Sequence, residues 1–238
     1  MSTLPIGMLD ANEAHYCARQ SALAYLERGR PLVSRVGGTV YVAIKGTDGW
    51  REWLNNTRLG LVRFERSPTV KVHAGFHDMY LGCLDAVMLA MTREHGYHAI
   101  VFCGHSLGGA VAALLATGLA PLYRDIDVRL YQFGAPRPGN DYFRMLCVTR
   151  LPSNWTCLLD MDVVPHLISG RFYDRVGSKV WLRQDGQMMG RVRGGLATAL
   201  LWAQSFRRDD LGDHSFDEYE HVLSLFAARQ RPQEGLAL

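Results

Sequence analysis

Residues 99–116 run Ala-Ile-Val-Phe-Cys, then Gly-His-Ser-Leu-Gly-Gly, then Ala-Val-Ala-Ala-Leu-Leu-Ala. An apolar run of strand length, a glycine-bracketed serine and an apolar run of helical character make Gly-x-Ser-x-Gly in strand–turn–helix context. The turn has to be sharp. Incoming strand and outgoing helix then approach closely and leave little room for a Cβ at Gly104 or Gly108. Ser106 is thereby held at the tip, its hydroxyl exposed and within reach of a base, as a candidate nucleophile. The bare pentapeptide is common in loops rich in glycine and serine; the flanking strand and helix give it weight.

Composition narrows the rest. A chain of 238 residues is long enough to bury a substantial core without staples, and no linker or repeat divides it. The expectation is one α/β unit over residues 1–231, with 232–238 as a frayed tail. A net charge of +3 gives no reason to invoke nucleic acid or a strongly acidic partner. The cysteines at 17, 83, 103, 147 and 157 are odd in number and lack metal-ligand spacing, so they read as free thiols in a reducing compartment. No charged region followed by an apolar core opens the sequence, which makes a cytoplasmic protein the expectation. The uncharged stretch Gly194 to Phe206 is too short to span a membrane. A monomer is the default.

Along the chain, helical spacing predicts a first helix from Ala11 to Arg28 with Asn12 as its cap. Val33–Val36 and Thr39–Ile44 around Gly37-Gly38 predict a hairpin whose second strand is apolar enough to be covered on both faces. A short helix or turn at Trp50 to Asn56 precedes short strands near Leu61–Phe64 and Val70–Val72. A helix from about Phe76 to His95 leads to the strand, elbow and helix already named. Strands at Val128–Phe133 and Asn154–Leu159 follow, with a turn-rich loop over residues 134–140 between them, and a last helix runs from about Phe216 to Arg229. This alternation predicts a mostly parallel central sheet flanked by helices, with chemistry at the C-terminal strand ends, and the elbow makes it an α/β-hydrolase type of fold.

A serine hydroxyl needs an imidazole to take its proton and a carboxylate to orient that imidazole. On such a fold the chain order is Ser, acid, His, and only His166, His214 and His221 follow Ser106. His221 falls inside the last helix and reads as a partly exposed helical residue. His166 directly follows Val164-Pro165 at a strand exit. His214 stands in the polar loop Asp209–Asp213 ahead of the last helix, where a loop can swing an imidazole over the elbow, and it is preferred. Asp160 and Asp162 both sit at a strand end. Either suits the orienting acid, and either suits a turn aspartate bound to its own backbone.

Five segments together resemble the class 3 lipases, the fungal triacylglycerol lipase-like family. They are the elbow itself, Ile44-Lys45-Gly46-Thr47, Val72-His73-Ala74-Gly75-Phe76, the loop Phe133-Gly134-Ala135-Pro136-Arg137-Pro138-Gly139-Asn140, and Asp162-Val163-Val164-Pro165-His166. They occur in the family's order from about Tyr41 to His221. The resemblance implies that Asp162, ahead of the Val-Val-Pro motif, is the triad acid. It implies likewise that His214, between Asp213 and Tyr219, is the base, and that Thr47 is one oxyanion donor. The backbone N–H of Leu107, at a helix start, is the second. Lys45 stands where many relatives carry arginine, and the stretch from Leu167 to Leu211 does not align.

The resemblance also implies a lid after Thr47, where Trp50, Trp53 and Leu54 would share a helix face over an acyl-binding cleft. Equally, both tryptophans suit plain core packing. A second candidate cover is the apolar run 194–202, inside the basic segment Arg171 to Arg208; it suits either a lipid surface or packing on the sheet. The activity implied is hydrolysis of lipid esters, acylglycerols first, without metal or organic cofactor, and with transient contact at a lipid interface. Phospholipase A or small-ester esterase activity are alternatives on the same chemistry. A peptidase and a non-catalytic lipid-binding module are the further alternatives.

Overall fold

A computed structural model describes residues 9–27, 30–46, 60–159, 162, 164–167, 175–188 and 215–230. In chain order the elements are α1 (Ala11–Leu23), β1 (Leu32–Val36), β2 (Thr39–Ile44), β3 (Leu61–Arg63), β4 (Lys71–His73), α2 (Ala74–Met91), β5 (Ala99–His105), α3 (Leu107–Leu119), β6 (Asp127–Phe133), α4 (Asp141–Arg150), β7 (Asn154–Leu159), α5 (Val164–Leu167), β8 (Ser178–Leu182) and α6 (Phe216–Gln230).

Six strands form one sheet in the order β1-β2-β5-β6-β7-β8. The β1–β2 hairpin is antiparallel, and every other neighbour pair is parallel. This is the mostly parallel sheet flanked by helices that the alternation of elements and the elbow predict, with one antiparallel edge strand. A separate antiparallel pair, β3 and β4, is tied back to the main body by the bridge Val72–Gly139.

The alternation of side chains along the strands sorts the core into two layers. Val40, Val42, Ile44, Ile100 and Phe102 pack with α2, α3 and α4 on one face. Tyr41, Ala43, Val101, Cys103, Tyr131 and Phe133 pack with α1 and α6 on the other. Helix α3 is apolar on every side and buried along almost its whole length, as a helix enclosed between sheet and outer helices must be. Phe102, in the middle strand, has no exposed surface, and its truncation to alanine would cost about 3–5 kcal/mol. The five cysteines are free thiols, as expected, and burial pushes the Cys147 and Cys157 thiols up to about 12.

Four details depart from the sequence reading. The N-cap of α1 is Asp10, not Asn12: its carboxylate accepts the N–H groups of Asn12 and Glu13 at 2.9 and 3.0 Å. That helix tightens into a 3-10 turn at Ala24–Leu26 instead of running on to Arg28. Helix α2 spans Ala74–Met91, starting earlier and ending earlier than periodicity suggests. Helix α4 and strand β8 are additions. Asn140 caps α4 by accepting the Phe143 N–H at 3.0 Å, while β8 exists through its pairing with β7. The tail 232–238 and the candidate covers at Trp50, Trp53, Leu54 and 194–202 lie outside the described residues.

Candidate active site

The elbow joins β5 to α3. Ser106 has φ 55° and ψ −129°, a conformation an L-residue adopts only when its surroundings enforce it. Enforcement comes from both sides. The Ser106 N–H donates to the Phe133 carbonyl at the end of β6 at 2.8 Å. The first turn of α3 presses on the exit of β2, where a Cβ at Gly108 would lie 2.2 Å from the Ile44 carbonyl oxygen. A Cβ at Gly104 would lie 2.4 Å from the Gly108 backbone, so both glycines are steric necessities. Enclosed by strand ends, Ser106 is 3% exposed, less open than a turn tip suggests. The Ser106 carbonyl accepts the first intrahelical bond, from the Gly109 N–H at 3.0 Å; the Leu107 and Gly108 N–H groups precede it, at the end of α3 where the helix dipole favours an anion beside the serine.

Asp162 follows β7 and is also 3% exposed. Its Oδ1 accepts the Val164 N–H at 2.9 Å, the backbone turn that sequence reasoning weighed as a purely local role. Its Oδ2 accepts the Tyr219 hydroxyl at 2.6 Å, and that hydroxyl accepts the Leu159 N–H at 3.2 Å. A long-range bond of this kind is not explained by turn formation. It anchors the carboxylate to α6, which Ser215 starts by accepting the Glu218 N–H at 3.0 Å. Burial, and then the Asp162 charge, hold the Tyr219 phenol well above its ordinary range, so it stays a neutral donor. Gly134 completes the corner with φ 56°; a Cβ there would stand 2.6 Å from Asp162 Oδ2.

The structure thus places Ser106, Leu107 and Asp162 at the C-terminal strand ends, around the chain corners that follow β5 and β7. Thr47, His214 and Asp160 lie outside the described residues; Gly46, the neighbour of Thr47 in sequence, is buried beside the elbow, and Ser215, the neighbour of His214, stands exposed at the start of α6. His221 stands exposed on α6, as its position in the helix suggests. His166 belongs to the single-turn helix α5. Among the described residues of the segment 171–208, Arg175 is turned inward: it is 6% exposed and donates to the Pro165 carbonyl at 2.8 Å. Sequence reasoning missed two rings against the elbow, Tyr25 and His105. His105 sits inside the motif, but its partner is 80 residues away and carries no local signal.

The family model for lipase (class 3) matches residues 41–172, more than half of the chain. The chain belongs to the class 3 lipase family. A lipase of Rhizomucor miehei is 30% identical over 155 residues, covering 62% of this chain and 42% of its own length. The secreted mono- and diacylglycerol lipase 1 of Fusarium solani is 30% identical over 148 residues, covering 60% and 44%. The chain therefore spans less than half the length of these curated relatives. Among solved structures, a Rhizomucor miehei lipase in complex with its propeptide superimposes with a TM-score of 0.63 at 23% identity, covering 73% of this chain and 67% of that one. At that identity the likeness is one of fold. The class 3 lipase match takes in the elbow, the residue 134–140 loop and Asp162, the three features that the geometry brings to one edge of the sheet.

Proposed function

We propose that this class 3 lipase is a serine carboxylic-ester hydrolase acting on lipid esters, with acylglycerols as the leading substrate class. The observation that carries the reading is the strained, enclosed Ser106 at the joint of β5 and α3, with a buried carboxylate anchored by α6 after β7, at the same C-terminal edge of the sheet. Backbone strain of this kind is retained where it aims a reacting group.

In this mechanism His214, oriented by Asp162, takes the proton of Ser106 as Oγ attacks the ester carbonyl. The Leu107 N–H and Thr47 hold the oxyanion; loss of one such donor would raise the barrier by roughly 2.7–4 kcal/mol. His214 then protonates the leaving alcohol, and water, activated by the same imidazole, releases the acid from Ser106. Transient contact with a lipid interface belongs to this reading, with Trp50, Trp53 and Leu54 as the proposed lid and acyl-binding residues.

The test is turnover of short- and long-chain p-nitrophenyl esters, a triacylglycerol emulsion and a phosphatidylcholine emulsion by the protein and its Ser106→Ala variant. Turnover of long-chain emulsions that disappears in the variant supports the reading, and the ratio of the two emulsions separates lipase from phospholipase action. A folded protein that cleaves no ester overturns it.

A further inference from the structure

One aromatic side chain touches three of the chain segments that the proposed reaction needs. Tyr25 lies in the 3-10 turn after α1. Its hydroxyl is 3.1 Å from Nδ1 of His105, in a hydrogen bond whose direction follows the imidazole tautomer. His105 is the residue before Ser106. The same hydroxyl presses on Gly46, where a Cβ would lie 2.1 Å away, and Gly46 is the residue before Thr47. The Tyr25 ring stacks on Phe216 with centroids 5.0 Å apart, and Phe216 stands two residues after His214. Lys45 Nζ is 5.7 Å from the centre of the Tyr25 ring. His105 itself packs edge-on to Phe216 and tilted against Tyr219, at centroid distances of 6.5 and 5.5 Å.

We propose that Tyr25 is a positioning residue for acyl transfer, acting through its hydroxyl on His105 and Gly46 and through its ring on the start of α6. This rests on the roles given above to Ser106, Thr47 and His214. Those residues belong to chain segments leaving β5, leaving β2 and entering α6. No covalent neighbour sets their mutual spacing, and a reacting constellation tolerates only about 0.5 Å of misplacement. A single ring lodged among all three segments sets that spacing. Packing alone needs only the ring, which phenylalanine supplies equally well. The hydroxyl adds a directional bond to the residue that leads into the nucleophile, fixing the His105 ring and with it the entry to the elbow.

The proposal separates hydroxyl from ring. Tyr25→Phe keeps the stack on Phe216 and removes the bond to His105. With p-nitrophenyl butyrate as a soluble ester, kcat is expected to fall about tenfold while KM stays within about twofold and the thermal midpoint is little changed. His105→Leu is expected to lower kcat by a similar factor, and the double variant to lose no more than either single one, because both remove the same bond. Tyr25→Phe with wild-type kcat overturns the proposal, as does a change confined to KM or a double variant whose losses multiply. In each of those cases the wild type is active, so the lipid-ester reading stands; a folded wild type without ester turnover overturns both.

Discussion

The Tyr219 hydroxyl bonds to Asp162 Oδ2 over 2.6 Å, spanning 57 residues of sequence to fix a buried carboxylate against α6. Removing it in Tyr219→Phe takes one donor from Asp162 Oδ2 and the acceptor of the Leu159 N–H from a buried corner. The expected cost is about 2–3 kcal/mol in urea unfolding. A drop in kcat of roughly tenfold, with KM nearly unchanged, is expected alongside it, because the carboxylate proposed to orient the base loses one of its own supports.

Gly134 tests the same corner from the other side. Its φ of 56° and the 2.6 Å approach of Asp162 Oδ2 leave no room for a methyl group. Gly134→Ala is expected to pay roughly 1–2 kcal/mol for the left-handed backbone alone. It should also displace the carboxylate, so ester turnover falls further than stability does. Equal kcat in folded Gly134→Ala protein would contradict this placement of Asp162.

The β3–β4 turn offers a gain. Phe64 to Ser67 closes with a 3.0 Å backbone bond around Glu65 and Arg66, both left-handed at φ 49° and 61°. Glu65 is tied to Arg150 at 2.8 Å, whereas the Arg66 side chain is exposed. Arg66→Gly relieves about 1–2 kcal/mol of backbone strain against a smaller entropic cost. A net stabilisation of about 0.5–1 kcal/mol by chemical denaturation, with activity unchanged, is the expected outcome.

His73, buried against the ring of Phe76 at 4.6 Å, has its pKa lowered from 6.5 to about 4 by desolvation. The unfolded chain binds this proton more readily than the folded one between those values. Stability is therefore full above pH 6.5 and falls as the pH drops toward 4, where the loss is complete. His73→Leu is expected to flatten that part of a urea-midpoint profile. An unchanged slope would show that other groups set it.

What is legible in the sequence follows from how local each signal is. The elbow, the β1–β2 hairpin and α6 each place their apolar pattern and their turn or cap within one short stretch. Helix α4 escapes because Tyr142, Met145 and Val148 lie on its exposed face and blur the apolar stripe of Phe143 and Cys147. Its legible mark is the cap Asn140 followed by Asp141. Strand β8 escapes because a short edge strand carrying Lys179 is defined by β7 rather than by its own pattern. The carboxylate position at 162 follows from the family motif, but its bond to Tyr219 and the lodging of Tyr25 against His105 depend on contacts across the fold.

The most direct test of the central claim is reaction of the protein with a p-nitrophenyl alkylphosphonate, followed by peptide mass analysis. Ser106 Oγ attacks phosphorus, p-nitrophenolate leaves, and a phosphonyl ester remains on the serine. One equivalent of p-nitrophenolate, one adduct located on Ser106, and neither in Ser106→Ala is the predicted result. A folded protein that forms no adduct, or forms it elsewhere, would contradict a nucleophilic Ser106.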